Sequence, residues 1–265
     1  MKSNQRKPQY SNWVSKWIPL SGGIATVLLT AGSVAAFEFA GRTTWGCLAP
    51  ISLAVVFCVF TIYMLAARGV LSYEGGGIQS RVLDGVLSYL DVLGWNGEGK
   101  LLDVGCGSGA MSIKAAKKFP KAEIMGMDYW GTGWDYSKKL CEDNAKVEGV
   151  TRIEFRQGDA AKLDFADGVF DAAVSNFVFH EVRSQPDKLA LVREALRVVR
   201  PGGCFVFEDV LYARSHYGDI QAFVKALEPY VSELHFVDMR HPDYAPAFLN
   251  TPLILGQMGL LYGRK

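Results

Sequence analysis

An open, mostly parallel α/β sheet with helices on both faces, preceded by two membrane-crossing helices, is the fold this 265-residue chain predicts. Three observations carry the expectation. Strand-like and helix-like segments alternate from Lys100 onward, which gives a parallel sheet covered on both sides. A glycine loop, Gly105-Cys106-Gly107-Ser108-Gly109, stands between an apolar strand and a helix. Between Trp17 and Arg68 only Glu38 and Arg42 are charged, which leaves two apolar stretches. The expected organisation is 1–70 as tail and two-helix anchor, 71–99 as linker and cap helix, and 100–265 as the α/β domain.

The first stretch, Pro19 to Phe37, is uncharged but diluted by Gly22, Gly23 and Gly32. The second, Thr43 to Ala67, holds 25 residues without a charge. As a helix it measures about 37 Å, longer than the roughly 30 Å hydrocarbon core of a bilayer. Pro50 falls in its first turns or bends it, and Trp45 and Tyr63 stand near its ends, where aromatic rings favour the interface. Glu38 falls near the far end of the first stretch rather than at a midplane, where a charge is costly. One span plus an interfacial or buried helix is the alternative. A signal peptide is disfavoured, because the first run begins late and a longer one follows. Lys2, Arg6, Lys7 and Lys16 precede the first span and only Arg42 lies between the two. The positive-inside rule then places the N-terminus, and after two crossings the large domain, in the cytoplasm.

Leu71 to Gly77 reads as a glycine-rich joint. Gln79 to Leu93 carries Val82, Leu83, Val86, Leu87 and Leu90 at helical spacing. Strands are expected at Leu101–Val104, Ala122–Met127, Arg152–Phe155, Phe170–Ser175 and Cys204–Phe207, the last entered by a Pro201-Gly202-Gly203 turn. Two final strands are expected at Leu234–Val237 and Leu255–Tyr262. Helices are expected at Ala110–Phe119, Tyr136–Val147, Pro186–Val199 and Tyr217–Leu227.

The formal charge of +1, with acids and bases interspersed, gives no basic stripe for nucleic acid. Five cysteines without CxxC spacing argue against a disulfide scaffold or structural zinc. His216, His235 and His241, with Asp238 and Asp243 nearby, lack tight ligand spacing, so no metal is expected. Oligomeric state is left open.

The ligand-binding pattern lies at strand ends. Gly105, Gly107 and Gly109 let the chain turn tightly and approach a ligand closely. Asp128 ends the second strand, where a carboxylate can accept both hydroxyl hydrogens of a ribose. Gly158-Asp159-Ala160 ends the third strand and Ser175-Asn176 the fourth. All fall on the carboxyl edge, where open α/β sheets bind ligands.

With Leu102-Asp103-Val104-Gly105-Cys106-Gly107-Ser108-Gly109, Gly126-Met127-Asp128, Gly158-Asp159-Ala160, Ser175-Asn176-Phe177-Val178-Phe179-His180 and Leu196-Arg197-Val198-Val199-Arg200-Pro201-Gly202-Gly203, the chain from about Tyr73 to Lys265 resembles the class I S-adenosylmethionine-dependent methyltransferases. The resemblance implies a Rossmann-like seven-stranded sheet with its last strand antiparallel. It implies that Asp103 with Gly105, Cys106, Gly107 and Gly109 holds the methionine end of S-adenosylmethionine. Asp128 would bind the ribose, Asp159 and Ala160 would frame the adenine, and Asn176 would line the methyl-bearing side.

The run after Asp128 departs from many relatives, which have a small or hydroxyl residue there. Tyr129 would pack on the adenosine. Trp130 and Trp134 either line an entrance, lie against the anchor, or merely pack a helix on the sheet. His180 and Glu181 follow the fourth strand beside the expected methyl site, and His180 is a candidate base or substrate contact. Glu208-Asp209, at the end of the fifth strand, is a candidate pair for orienting a cationic or hydroxyl-bearing acceptor. Tyr73 and Tyr212 are candidates for the pocket rim. The expected acceptor is a small molecule or a lipid-like compound met at the bilayer. An NAD-linked oxidoreductase and a noncatalytic membrane adaptor remain as alternatives.

Overall fold

The computed structural model describes residues 7–10, 12–39, 45–73, 77–131 and 136–265, so Arg42, Glu74 and Trp134 lie outside the described residues. The chain forms two compact units. One is Asn12–Gln79; the other joins Met1–Ser11 to Ser80–Lys265, so its chain comes from both sides of the first.

The first unit is a helical hairpin of α1 (Trp17–Phe39) and α2 (Trp45–Val70). Both helices are long and apolar enough to cross a membrane. Leu20, Ile24, Val27, Leu28, Val55, Val56, Val59 and Ile62 stay exposed, which is the apolar exterior expected of lipid-facing helices. Their hydroxyls are satisfied internally. Thr26, Ser33 and Thr61 donate to the carbonyls of Gly22, Leu29 and Phe57 at 2.7–2.9 Å, so no hydroxyl among these needs water. Gly22 lets the helices meet closely, since a Cβ there would stand 2.5 Å from Thr61 Oγ1. Asn12 donates to the Arg68 carbonyl at 2.6 Å, and the Arg68 guanidinium donates to the Val14 carbonyl. The entry to α1 and the exit of α2 are therefore tied at one end of the hairpin.

The second unit is built around a seven-stranded sheet. Its strands are β1 (Gly99–Val104), β2 (Ala122–Asp128), β3 (Ile153–Gln157), β4 (Phe170–Asn176), β5 (Val199–Asp209), β6 (Glu233–Asp238) and β7 (Gly259–Arg264), in the order β3-β2-β1-β4-β5-β7-β6. The pairs among β1 to β5 are parallel, whereas β7 runs antiparallel to β5 and β6. This is the Rossmann-like sheet the sequence predicts. The strand order reverses between β1 and β4, which opens a crevice at their carboxyl ends.

The helices are α3 (Ile78–Val92), α4 (Ala110–Lys118), α5 (Lys138–Val147), α6 (Lys188–Arg197), α7 (Arg214–Tyr217) and α8 (Ile220–Leu227). Val82, Leu83, Val86, Leu87 and Leu90 of α3 are all buried, as their spacing predicts. The largest core cluster joins Leu102, Val104, Phe179, Leu191, Phe205 and Phe207 beside α6 and α8.

Three element boundaries differ from the expectation. Pro201-Gly202-Gly203 is a bulge inside β5 rather than a turn before it. Phe170 faces Val199 and Ala172 faces Cys204, so residues 200–203 are extruded where proline offers no N–H and Gly202 takes φ 75°. The helix expected over Tyr217–Leu227 breaks at Gly218 (φ 65°), after which Asp219 caps α8 by accepting from the Ala222 N–H at 3.0 Å. The last strand starts at Gly259, because Thr251 closes turns with Ile254 and Gly256 first.

Candidate active site

The predicted cofactor residues converge on the crevice between β1, β2 and β4. Gly105, Gly107 and Gly109 take φ of 77°, 56° and 82°, a left-handed region costly for any side chain. The loop is held by its own neighbours. Gly105 and Cys106 donate backbone N–H groups to the Met127 carbonyl at 2.7 and 3.0 Å. Asp128 accepts from the N–H of Gly107 at 2.9 Å and from that of Trp130 at 2.7 Å. The Trp130 indole N–H donates to the Gly107 carbonyl at 3.0 Å, and Cys141 Sγ reaches the same oxygen at 3.2 Å. Trp130 thus braces the glycine loop. It does so from φ 46°, an uncommon region for a bulky residue.

Beneath the loop, Asp103 is 1% exposed and accepts from Ser112 Oγ at 2.6 Å. Burial pushes its carboxyl up to about 7 despite that bond. Burial likewise raises Asp128, and pushes the Cys106 thiol up. Helix α4 begins at Gly109 with no side-chain cap, so the first-turn N–H groups face the crevice unclaimed by a capping side chain.

Farther along the edge, Asp159 accepts from the Ala161 N–H at 2.8 Å and from Ser184 Oγ at 3.0 Å, linking the end of β3 to the segment after β4. Ala160 is buried beside it and Tyr129 stays exposed on the turn after β2. Tyr73 belongs to the helical unit rather than to the unit that carries these residues.

The tips of β4 and β5 carry two further groups. Asn176 and Glu208 are register partners, and the Asn176 amide atoms and Glu208 Oε1 are buried with no hydrogen-bond partner among the described residues. Burial, with Asp209 adjacent, pushes the Glu208 carboxyl up to about 8. Neighbouring strand residues point to opposite faces, so Asp209 turns the other way. There it meets His180, whose Nδ1 lies 2.5 Å from Asp209 Oδ1 and whose N–H donates to Oδ2 at 3.2 Å. Burial opposes charge on His180, but Asp209 and then Glu181 outweigh it and raise the imidazole to about 10. Burial alone would raise Asp209; the His180 charge more than reverses this and holds it low. His180 is therefore an imidazolium at neutral pH. Glu181 lies 3.5 Å from its Nε2 and is held low by it.

Residues 102–207 match the family model described as a methyltransferase domain. Over these residues the chain carries a methyltransferase domain of the class I kind. Among its relatives are a demethylmenaquinone methyltransferase of Bacillus velezensis, 37% identical over 39% of this chain and 42% of that protein, and a fatty-acid O-methyltransferase of Mycolicibacterium smegmatis, 36% identical over 49% and 43%. The chain thus spans less than half the length of these curated relatives. The crystal structure of geranyl diphosphate C-methyltransferase from Streptomyces coelicolor, solved with Mg2+, geranyl diphosphate and S-adenosyl-L-homocysteine, shares the fold. Its TM-score is 0.52 at 16% identity, over 72% of this chain and 81% of that one.

The residues of the methyltransferase domain fit its cofactor, S-adenosylmethionine. At Gly107 a Cβ would lie 3.5 Å from the Tyr136 ring, in ordinary van der Waals contact, so the loop presents bare backbone beneath that ring. Asp103, buried and poorly ionised alone, suits a ligand bearing positive charge. Sequence reading singled out Asp209 only beside Glu208 as an acceptor contact, not as the partner of His180, and it did not single out Asn144, Tyr89 or Tyr244. Asn144 is 2% exposed; its amide donates to the Ser108 carbonyl and the Gln9 carbonyl, both at 3.0 Å, while its oxygen accepts from the Gln9 N–H at 2.7 Å. It thereby couples the segment before the hairpin to the glycine loop of the methyltransferase domain. Its partners lie far away in sequence, so no local signal marks it.

Proposed function

We propose that this chain is a membrane-held methyltransferase that transfers the methyl group of S-adenosylmethionine to a small amphipathic or lipid-like acceptor. The observation that carries the reading is the glycine loop clasped by Asp128 beside the uncapped start of α4. When bound, the cofactor supplies an electrophilic methyl group on a sulfonium. The chain's own task is to hold and orient it, to bring an acceptor in line, and to keep water out.

In this reading Asp103 and the loop glycines with Cys106 hold the methionine end, Asp128 the ribose, and Asp159 with Ala160 the adenine, while Tyr129 lies against the adenosine. His180, already charged, serves as a fixed cation that pins the turn after β4 to β5, and Glu181 supports that charge. The hairpin is read as two membrane spans with the domain and the N-terminus on the cytoplasmic side, following the cations Lys2, Arg6, Lys7 and Lys16. An acceptor dissolved in or adsorbed to the bilayer suits such an anchor. The relatives that act on a fatty acid and on demethylmenaquinone favour this class.

The direct test uses the full chain purified in detergent. S-adenosylmethionine should bind saturably in calorimetry, and Asp128→Ala should weaken it by about a hundredfold. Methyl-labelled cofactor incubated with membranes should then label an extractable small molecule. Folded protein that neither binds the compound nor labels any fraction would overturn the reading.

A further inference from the structure

We infer that the adjoining tips of β4 and β5 form the acceptor subsite, shaped for a hydroxyl group carried on a ring, with Glu208 receiving the hydroxyl proton as the methyl is transferred. The inference rests on the methyltransferase reading above and narrows it to a class of acceptor.

Three features of the site point there. First, Asn176 and Glu208 face the same side of the sheet as register partners, and three of their polar atoms are buried without a partner. Glu208 is 1% exposed, and a buried polar atom left unpaired is costly, so such a cluster is retained for a ligand. Second, the backbone holding Asn176 is strained. Phe177 takes φ 54°, and its N–H donates to the Glu208 carbonyl at 2.9 Å, which locks the two tips together. Third, aromatic side chains face the pair. Tyr89 from α3 and Tyr244 from the segment between β6 and β7 both feel the Glu208 charge, and the Tyr89 ring lies 4.6 Å from that of Tyr262.

The free valences select the acceptor. Asn176 Nδ2 needs an acceptor atom, and Glu208 Oε1 as a carboxylate oxygen needs a donor. A hydroxyl offers both at one atom. An ammonium has no lone pair for the amide nitrogen, and a carboxylate has no proton for Glu208. The Tyr89 and Tyr244 rings favour a flat, apolar body behind the hydroxyl.

In the transfer the acceptor O–H bond breaks and its proton passes to the Glu208 carboxylate. The oxygen forms the new bond to the methyl carbon, and the electron pair of the broken carbon–sulfur bond stays on sulfur. Glu208 is suited to the proton because burial and Asp209 hold it near 8, while Tyr89 and Tyr244, the other titratable groups facing it, are raised and stay neutral. His180 sits on the other face, already protonated.

Three probes of similar shape separate the outcomes: 4-butylphenol, 4-butylbenzylamine, which is an ammonium at neutral pH, and 4-butylbenzoate, titrated into the full chain in detergent saturated with S-adenosylhomocysteine. The phenol should bind at least about tenfold tighter than the other two. Glu208→Gln keeps a neutral hydrogen-bonding group, so it should leave phenol binding within about threefold. Methyl transfer to the phenol should fall at least about a hundredfold, the usual scale of a lost general base. The wild-type rate should climb with pH through about 8, and Glu208→Gln should abolish that climb. Equal or tighter binding of the benzylamine or benzoate, no transfer to the phenol, or a Gln variant at wild-type rate would each overturn the subsite. If the variant does not fold, the probe preference and pH profile of the wild-type protein still support or overturn it. Wild-type protein that fails to bind S-adenosylmethionine would instead overturn the methyltransferase activity itself.

Discussion

A Cβ at Gly105 would come within 2.2 Å of the Val178 side chain, and the residue sits at φ 77°. Gly105→Ala is therefore expected to cost about 2 kcal/mol or more in a denaturant titration and to weaken cofactor binding with it. His180 and Asp209 set a pH window. The imidazole is raised to about 10 from an ordinary value near 6.5, so its contribution is full below about 6.5 and fades as pH climbs through about 10. The Asp209 carboxyl is lowered, so its contribution is full above about 3.8 and disappears as pH drops below its folded value. Asp103 and Glu208, raised to about 7 and about 8, oppose that pair because each keeps a proton that the unfolded chain loses, so melting temperature should fall as pH climbs from about 4 to about 8. Asp209→Asn should let the His180 imidazole titrate several units lower by NMR; an unmoved titration would show that Asp209 is not its partner. The positions of Asp103, Asp128 and the glycines at strand ends were legible from sequence, because each follows directly from where its strand stops. The Asp209–His180 pairing was not, since only folding brings the end of β5 against the turn after β4.

Among the elements, the hairpin depends on close approach. Gly22→Leu would drive a side chain into Thr61, so α1 and α2 should separate, and a disulfide engineered across them should form more slowly. Helix α5 begins at Ser137, whose side chain accepts from the Leu140 N–H at 3.1 Å. Replacing Ser137 by Ala should cost about 1 kcal/mol in chemical denaturation. Periodicity located α3 and the alternation of strands with helices, since burial repeats along each element. It missed the bulge at 200–203 and the break at Gly218. There backbone angles and a missing proline N–H prevail over a sequence pattern that would run on through both.

Across the whole molecule, the segment 7–10 is part of the α/β unit although the hairpin separates it from the rest in sequence. Tyr10 donates to Glu148 at 3.1 Å and packs with Cys106, Ile113, Cys141 and Phe155. Asn144→Ala should strip both Gln9 contacts and the Ser108 contact together, and cofactor affinity should drop several-fold; an unchanged titration would mean that the loop stands without it. The docking of the N-terminal tail on α5 was not legible in the sequence, because Asn144 lies 135 residues from Gln9. This arrangement has a mechanical corollary. A cut between Tyr73 and Ile78 severs one covalent leash, yet leaves the catalytic lobe holding Gln9 and Tyr10 of the other fragment. The two fragments should co-elute in detergent until mild chaotrope frees the lobe, a release that a chain fastened at a single point would give at once.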